Sequence, residues 1–313
     1  MTLLFIFILL FVMELAYFWI ADHFNIIDKP NERSSHSSIT LRGGGIVFYM
    51  GVLLYFVVDG FQYPWFFVGL TLIALVSFAD DIHPQSSKLR LLVHFVAMIL
   101  LFYQWGLFTL PWYFMVLALV FCTGILNAYN FMDGINGITG GYSMVVIGAL
   151  WYVNNHITAF VDNKLIYIVL LALLVFNFFN FRTKAKCFAG DVGAISIAFI
   201  IIFLLGLLIL KTKDLSYILF LVVYGVDTIL TIIHRILLHE NIFQAHRKHI
   251  FQLLANELHI PHVLVSLIFM LFQAIITVGF ILTVHKSVYL LIVTLILSIL
   301  YIALKTKYFH LHR

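Results

Sequence analysis

The sequence predicts an all-α integral membrane protein of about eleven transmembrane helices, with its N-terminus outside and its reactive loops in the cytoplasm. Three observations carry that reading. Hydrophobic residues fill 63% of the 313 positions and charged residues only 10%, a balance foreign to soluble globular chains. Apolar runs of the roughly 20 residues needed to cross about 30 Å of hydrocarbon recur along nearly the whole length. These runs are continuous, as from Leu290 to Leu304, so the crossings are helices rather than the alternating strands of a barrel. No polar block is large enough for a separate soluble domain, and residues 1–313 are read as one membrane domain.

In order, helices are expected at 3–20, 43–58, 64–79, 89–106, 111–126, 138–153, 165–181, 193–210, 215–231, 263–283 and 288–304. The first has no Lys or Arg before it and no small-residue cleavage site after it, so it reads as a retained helix rather than a signal peptide. The two cysteines, Cys122 and Cys187, lie in separate segments and support neither a disulfide framework nor a zinc site. A formal charge of +4 with no basic run gives no reason to expect nucleic acid. Of the 18 Lys and Arg, fourteen fall in the loops after odd-numbered helices or in the C-terminal tail and four in the opposite loops, which puts the odd loops in the cytoplasm.

The same parity sorts the carboxylates. Asp80 and Asp81 follow the third helix, Asp133 the fifth and Asp191 the seventh, while Asp227 lies near the end of the ninth. All fall on one side, which makes a single site at the cytoplasmic surface the natural expectation.

Each loop has a bland reading beside its chemical one. Adjacent Asp80 and Asp81 repel, a conflict that a hard divalent ion resolves; a solvated acidic helix end would look the same. Lys88, close behind, fits a phosphate contact or a positive-inside anchor. Asp191, between Gly190 and Gly193, reads as a metal ligand or as a helix N-cap. Its glycines suit close approach of a ligand to the backbone, and the helix start offers amide donors to phosphate. Arg42, followed by three glycines, brings a fork of donors suited to phosphate. The run from Asn127 through Asn130 and Asp133 to Asn136 is either an ordinary turn or a polar site at a membrane helix end.

In the longest polar stretch, from His234 to Pro261, a helical backbone would put Arg235, His239, His246 and His249 on one face, with Arg247 and Lys248 nearby. That pattern reads as a diphosphate clamp or as a basic interfacial helix holding anionic lipid. No serine or cysteine has a nucleophile-elbow context, and the His-Glu-x-x-His of zinc hydrolases is missing. The combined expectation is a metal-assisted reaction on a phosphorylated substrate at the bilayer surface.

Asp80-Asp81 with Lys88, then Asn127-x-x-Asn130-x-x-Asp133-Gly, then Gly190-Asp191-x-Gly193, then the His and Arg loop, resemble in order and spacing the polyprenyl-phosphate N-acetylhexosamine-1-phosphate transferases. The resemblance runs from about Asp28 to His249. It implies transfer of a sugar-1-phosphate from a UDP-N-acetylhexosamine to undecaprenyl phosphate in a bacterial cytoplasmic (inner) membrane, with release of UMP and initiation of a cell-surface glycan such as O-antigen. It further implies Mg2+, or Mn2+ in its place, held by Asp191 and Asp80. Asp80, Asp81 and Asp133 would be catalytic, with the Asp80-Asp81 pair positioning or deprotonating the lipid phosphate. Asn127, Asn130, Lys88, Arg42, Arg235, His246, Arg247 and His249 would bind nucleotide and sugar diphosphate, and the resemblance also allows a homodimer.

The departures from the family pattern are Asn136 where many relatives have a second Asp, Leu41 for a Pro, Ala194 for a Ser, and His-Arg-Lys-His in the late loop. They point away from MurNAc-pentapeptide and toward a 6-deoxy sugar such as FucNAc or QuiNAc, or GlcNAc. The rival from another class is a transporter or flippase for an anionic or lipid-linked solute, which should show interrupted helices and repeated halves. Glu14 is the main charge inside a helix.

Overall fold

The structure is a computed structural model that describes residues 2–28, 39–241 and 247–308. It is almost entirely helical. All eleven expected segments are helices: α1 (Leu3–His23), α2 (Ile46–Val58), α3 (Pro64–Ile82), α4 (Ser87–Gln104), α5 (Trp112–Met132), α6 (Ile138–His156), α7 (Asn163–Asn180), α8 (Gly190–Thr212), α9 (Val222–Leu237), α11 (His262–Leu282) and α12 (Lys286–Tyr308), with a short turn, α10 (Ile250–Gln252), between α9 and α11. Among the described residues, nine helices are long and apolar enough to cross a membrane, counting Leu215–Leu237 as one. Beside them, α2 has 13 residues, and α6 carries Ser143, Asn154, Asn155 and His156 among its apolar positions.

Local signals fix several ends. The Ser86 side chain accepts from the Leu89 N–H at the start of α4, and Asp162 accepts from Lys164 at the start of α7, each satisfying an amide that the helix leaves unpaired. The expected single helix at 215–231 is instead a 3-10 stretch, Leu215–Leu221, leading into α9. The tighter winding changes which backbone groups pair. Gln273 of α11 meets the need, donating to the Leu219 carbonyl at 3.0 Å and accepting from Tyr142 at 2.7 Å. Polar side chains inside hydrocarbon persist when they are satisfied in this way.

The core is built around α8, in which every residue from Val192 to Leu205 is buried. Its Phe203 stacks on Phe66 of α3 with ring centroids 3.9 Å apart, and Tyr142 of α6 stacks on Tyr224 of α9 at 3.7 Å. By contrast, α12 exposes Leu291, Ile292, Leu295, Ile296 and Ile299, the composition expected of a lipid-facing helix. Because α8 is enclosed on all sides, its first turn, which carries Asp191, sits where α3, α4 and the segment before α2 can all reach it.

Two short strands, β1 (Ile27–Asp28) and β2 (Thr40–Leu41), pair antiparallel at that end. Leu41 also bridges Cys187, and the pairing continues as Gly44 N–H to Phe188 O and Gly45 N–H to Ala189 O. A Cβ on Gly45 would lie 2.3 Å from the Gly193 Cα, so the two backbones touch at a distance only glycine permits. These glycines, expected to admit a ligand, serve here to press the chain after β2 against the start of α8. That contact delivers Arg42 to the carboxylates.

Candidate active site

At the start of α8, four segments bring charged groups together. Asp81, near the end of α3, accepts the backbone N–H groups of Asp191 at 2.9 Å and Val192 at 3.0 Å. It also pairs with Arg42 Nε at 2.7 Å, and its side chain is fully buried. Capping, the bland reading of Asp191, therefore falls to Asp81. A carboxylate at a helix N-terminus is favoured by the free amides and the dipole, and Asp81 uses both to fix α3 against α8.

With Asp81 so committed, Asp80 and Asp191 are the carboxylates turned toward the open side, their side chains 11% and 19% exposed. Asp80 accepts from the Gln85 backbone N–H at 2.6 Å, and the two carboxylates lie within hydrogen-bonding reach of each other. Arg90 of α4 holds both, with Nη1 3.0 Å from Asp80 Oδ2 and 3.3 Å from Asp191 Oδ2. Arg42 Nη2 approaches Asp191 Oδ1 at 3.5 Å.

Motif and spacing single out Lys88 but not Arg90, whereas in the structure it is Arg90 that meets the aspartates. Lys88 is exposed, at the first turn of α4. Positions two apart on a helix point roughly 200° apart, so a helical α4 can aim only one of the pair at the aspartates. That signal is present in the sequence, but which of the two faces inward depends on how α4 packs on α3.

Asp133 caps the end of α5 and accepts from Thr139 Oγ1 at 2.6 Å. Burial pushes its carboxyl up to about 6, the Thr139 hydrogen bond acts in the opposite sense, and the nearby Asp81 charge raises it further. Asn127, exposed, donates to Thr123 O one turn back on its own helix, and Asn130 is half-buried two residues before Met132. Neither is tied to the aspartates by a hydrogen bond. Asn136 is held by two carbonyls, its amide donating to Arg182 O at 2.8 Å and to Thr183 O at 3.2 Å. An ionised Asp there would face both with no proton to give, so the packing of the 180s loop suits an amide at this position.

The late loop differs from its expectation. α9 stops at Leu237 and His239 has φ 56, so Arg235 and His239 do not continue on one helical face toward His249. Arg235 is buried and binds Glu240 Oε2 at 3.2 Å and Asn241 O at 2.5 Å. His249 is buried with Nδ1 3.4 Å from Asp227 Oδ1, and Asp227 also accepts the Ile250 N–H at 3.1 Å. These two side chains hold the loop rather than line an open pocket. Arg247 is half-buried, and His246 lies outside the described residues. The loop nevertheless adjoins the site, because the His249 ring lies 6.3 Å from that of Phe131 and Phe251 covers Gly134, beside Asp133.

Glu14 of α1 is fully buried, with Oε1 3.8 Å from the Cys187 Sγ behind Gly44. It belongs to the wall that supports the Arg42 segment.

Among the described residues no group of three or more His, Cys, Asp or Glu stands close enough to hold a metal. Mg2+ asks for less: one or two carboxylates, with waters and substrate phosphate oxygens completing the shell. Asp80 and Asp191, adjacent and drawn to one shared cation, fit that requirement.

Residues 63–209 match the model of Glycosyl transferase family 4. The chain is 27% identical over 252 residues, 74% of its length and 70% of the relative's, to the probable undecaprenyl-phosphate N-acetylglucosaminyl 1-phosphate transferase of Bacillus subtilis. It is 27% identical over 221 residues to the undecaprenyl-phosphate alpha-N-acetylglucosaminyl 1-phosphate transferase of Yersinia pestis, and over 208 residues to that of Escherichia coli. The match spans 60% and 56% of those two relatives, less than two thirds of either. The aspartates of α3 and the first turn of α8 both lie inside the matched region, and together these matches support the resemblance to the polyprenyl-phosphate hexosamine-1-phosphate transferases.

Proposed function

We propose that this protein transfers an N-acetylhexosamine-1-phosphate from a UDP-sugar to undecaprenyl phosphate at the inner face of a bacterial cytoplasmic membrane, releasing UMP and starting a cell-surface glycan. The observation that carries the reading is the meeting of Asp80, Asp81 and Asp191 with Arg42 and Arg90 at the end of the buried helix α8. Both reactants bring phosphate, so the first problem is repulsion. Arg42 and Arg90, each about one-third exposed, supply positive charge beside the carboxylates and offer planar donor forks to phosphate oxygens. Asp80 and Asp191 would hold Mg2+ or Mn2+, which when bound polarises the phosphoryl oxygens and screens the charge that grows as the bond to UMP breaks.

Asp81 keeps α3 and α8 in register so that Asp80 and Asp191 stay adjacent. Asp133, with its carboxyl near 6, is suited to accept a proton at neutral pH. GlcNAc is the donor sugar favoured by the relatives' names; the 6-deoxy sugars FucNAc and QuiNAc are the alternatives drawn from the late loop.

The test is release of UMP by purified protein given UDP-GlcNAc, undecaprenyl phosphate and Mg2+. Release undiminished in EDTA would remove the metal from the scheme. A panel of UDP-sugars ranks the donors, and rates for the 6-deoxy sugars below that for GlcNAc are expected.

A further inference from the structure

We propose that Lys305, on the last helix, and Glu240 are positioning residues that set the two ends of the loop carrying Arg247. Lys305 is a lysine on a largely lipid-exposed helix, yet it is buried, and its Nζ donates to the backbone carbonyl of Lys248. Burying an ammonium is costly unless it is well used. One helical turn earlier, Tyr301 shares a 2.8 Å hydrogen bond with Thr231, and Thr231 donates to Asp227 at 3.2 Å. Asp227 in turn pairs with His249 and accepts the Ile250 N–H. A line of contacts thus runs from α12 through α9 to residues 248–250.

The other end of the loop is fixed by the same cluster. Arg235 binds the carbonyl of Asn241, and Glu240 joins Arg235 to Lys248. Asn241 and Arg247 are the last described residues on either side of 242–246, and the Glu240 carboxylate ties one stem to the other. The stems in turn sit on the end of α5 through Phe131, Gly134 and Phe251. A carboxylate that joins both stems and an ammonium that anchors one of them to α12 fix where Arg247 is presented relative to Asp133. The inference rests on the reading that the late loop meets the sugar-diphosphate donor, and it makes α12 the support for that loop.

The experiment uses the full chain in nanodiscs with Lys305→Met, Lys305→Arg and Glu240→Gln. Two readouts are taken: amide hydrogen exchange across 247–252 and across 187–193, and kcat and KM for UDP-GlcNAc with undecaprenyl phosphate and Mg2+. Loss of one hydrogen bond to a charged group predicts about tenfold faster exchange at 247–252 in Lys305→Met, with 187–193 unchanged. KM for the UDP-sugar should rise about tenfold while kcat stays within about twofold, and Lys305→Arg should restore both. Glu240→Gln should shift both readouts in the same direction as Lys305→Met. Unchanged exchange at 247–252, or kcat falling with KM held, would overturn the assignment. If the wild-type chain turns over no UDP-sugar, the donor reading fails by itself, and the exchange comparison alone decides whether Lys305 holds the loop.

Discussion

The two polar clusters at this end of the molecule are assembled on opposite terms. Around α8, Asp80 and Asp191 stay partly open and adjacent, two like charges held together by Arg90 and Arg42. Around the late loop, Asp227, His249 and Arg235 are buried and matched to partners in their own neighbourhood. The first arrangement is one that an added cation would improve, whereas in the second each charged group faces an opposite charge supplied by the fold itself. Activity commonly costs stability at the site that carries it, and the like-charged pair around α8 fits that pattern better than the buried ion pairs of the late loop. The structure therefore separates residues that a motif search groups together.

Four outcomes would break or sharpen that contrast. The largest concerns Asp191: Asp191→Asn should lower turnover by about 10³-fold, the scale seen when a key electrostatic contact to the transition state is lost. Its melting temperature should hold or rise, since one of two adjacent negative charges is gone. A fall in melting temperature with turnover preserved would return Asp191 to a structural role.

Asp227 should behave in the reverse manner. Asp227→Ala removes the partner of the Ile250 N–H, the Thr231 hydroxyl and His249, and should cost about 3 kcal/mol of stability, read by thermal or denaturant unfolding in detergent. A loss below about 0.5 kcal/mol would show that the late loop is not held as the geometry requires.

Asn136→Asp tests a single family departure. A carboxylate facing the Arg182 and Thr183 carbonyls should destabilise by about 1–3 kcal/mol, and more at pH 8 than at pH 5, because the charged form is the unfavourable one. Higher activity with no loss of stability would mean that the missing charge, rather than the packing, is what matters at this position.

The smallest expected effect belongs to Asp133. Its folded carboxyl sits at about 6, above the ordinary 3.8, so the wild-type protein gains stability from it at low pH and loses that stability as pH rises through about 6. In EDTA, the melting temperature of Asp133→Asn minus that of wild type should therefore be more positive at pH 8 than at pH 4.5. An equal difference at both values would show that Asp133 ionises freely.

Much of this is legible in the chain itself. Long apolar runs have one low-energy form in hydrocarbon, so the eleven helical segments follow from composition, and loop parity places the aspartates on one side. Beyond that point the missing information is packing. Lys88 and Arg90 are both cations beside an acidic pair, and only the seating of α4 on α3 decides that Arg90 turns inward. Asp81 and Asp191 are both aspartates near glycines, and only the contact of α3 with α8 makes one the cap and leaves the other open. Arg235 and His249 look like substrate ligands by residue type, yet both are buried, Arg235 on Glu240 and Asn241 just beyond its own helix and His249 on Asp227 of α9.

What the sequence determined by itself is the class of molecule, its helices and the gathering of carboxylates at one surface, because hydrophobic burial and backbone satisfaction act locally along the chain. The tertiary structure alone decided which charge faces which. Ion pairs and caps form between segments tens to more than a hundred residues apart, and their geometry exists only once α8 is enclosed.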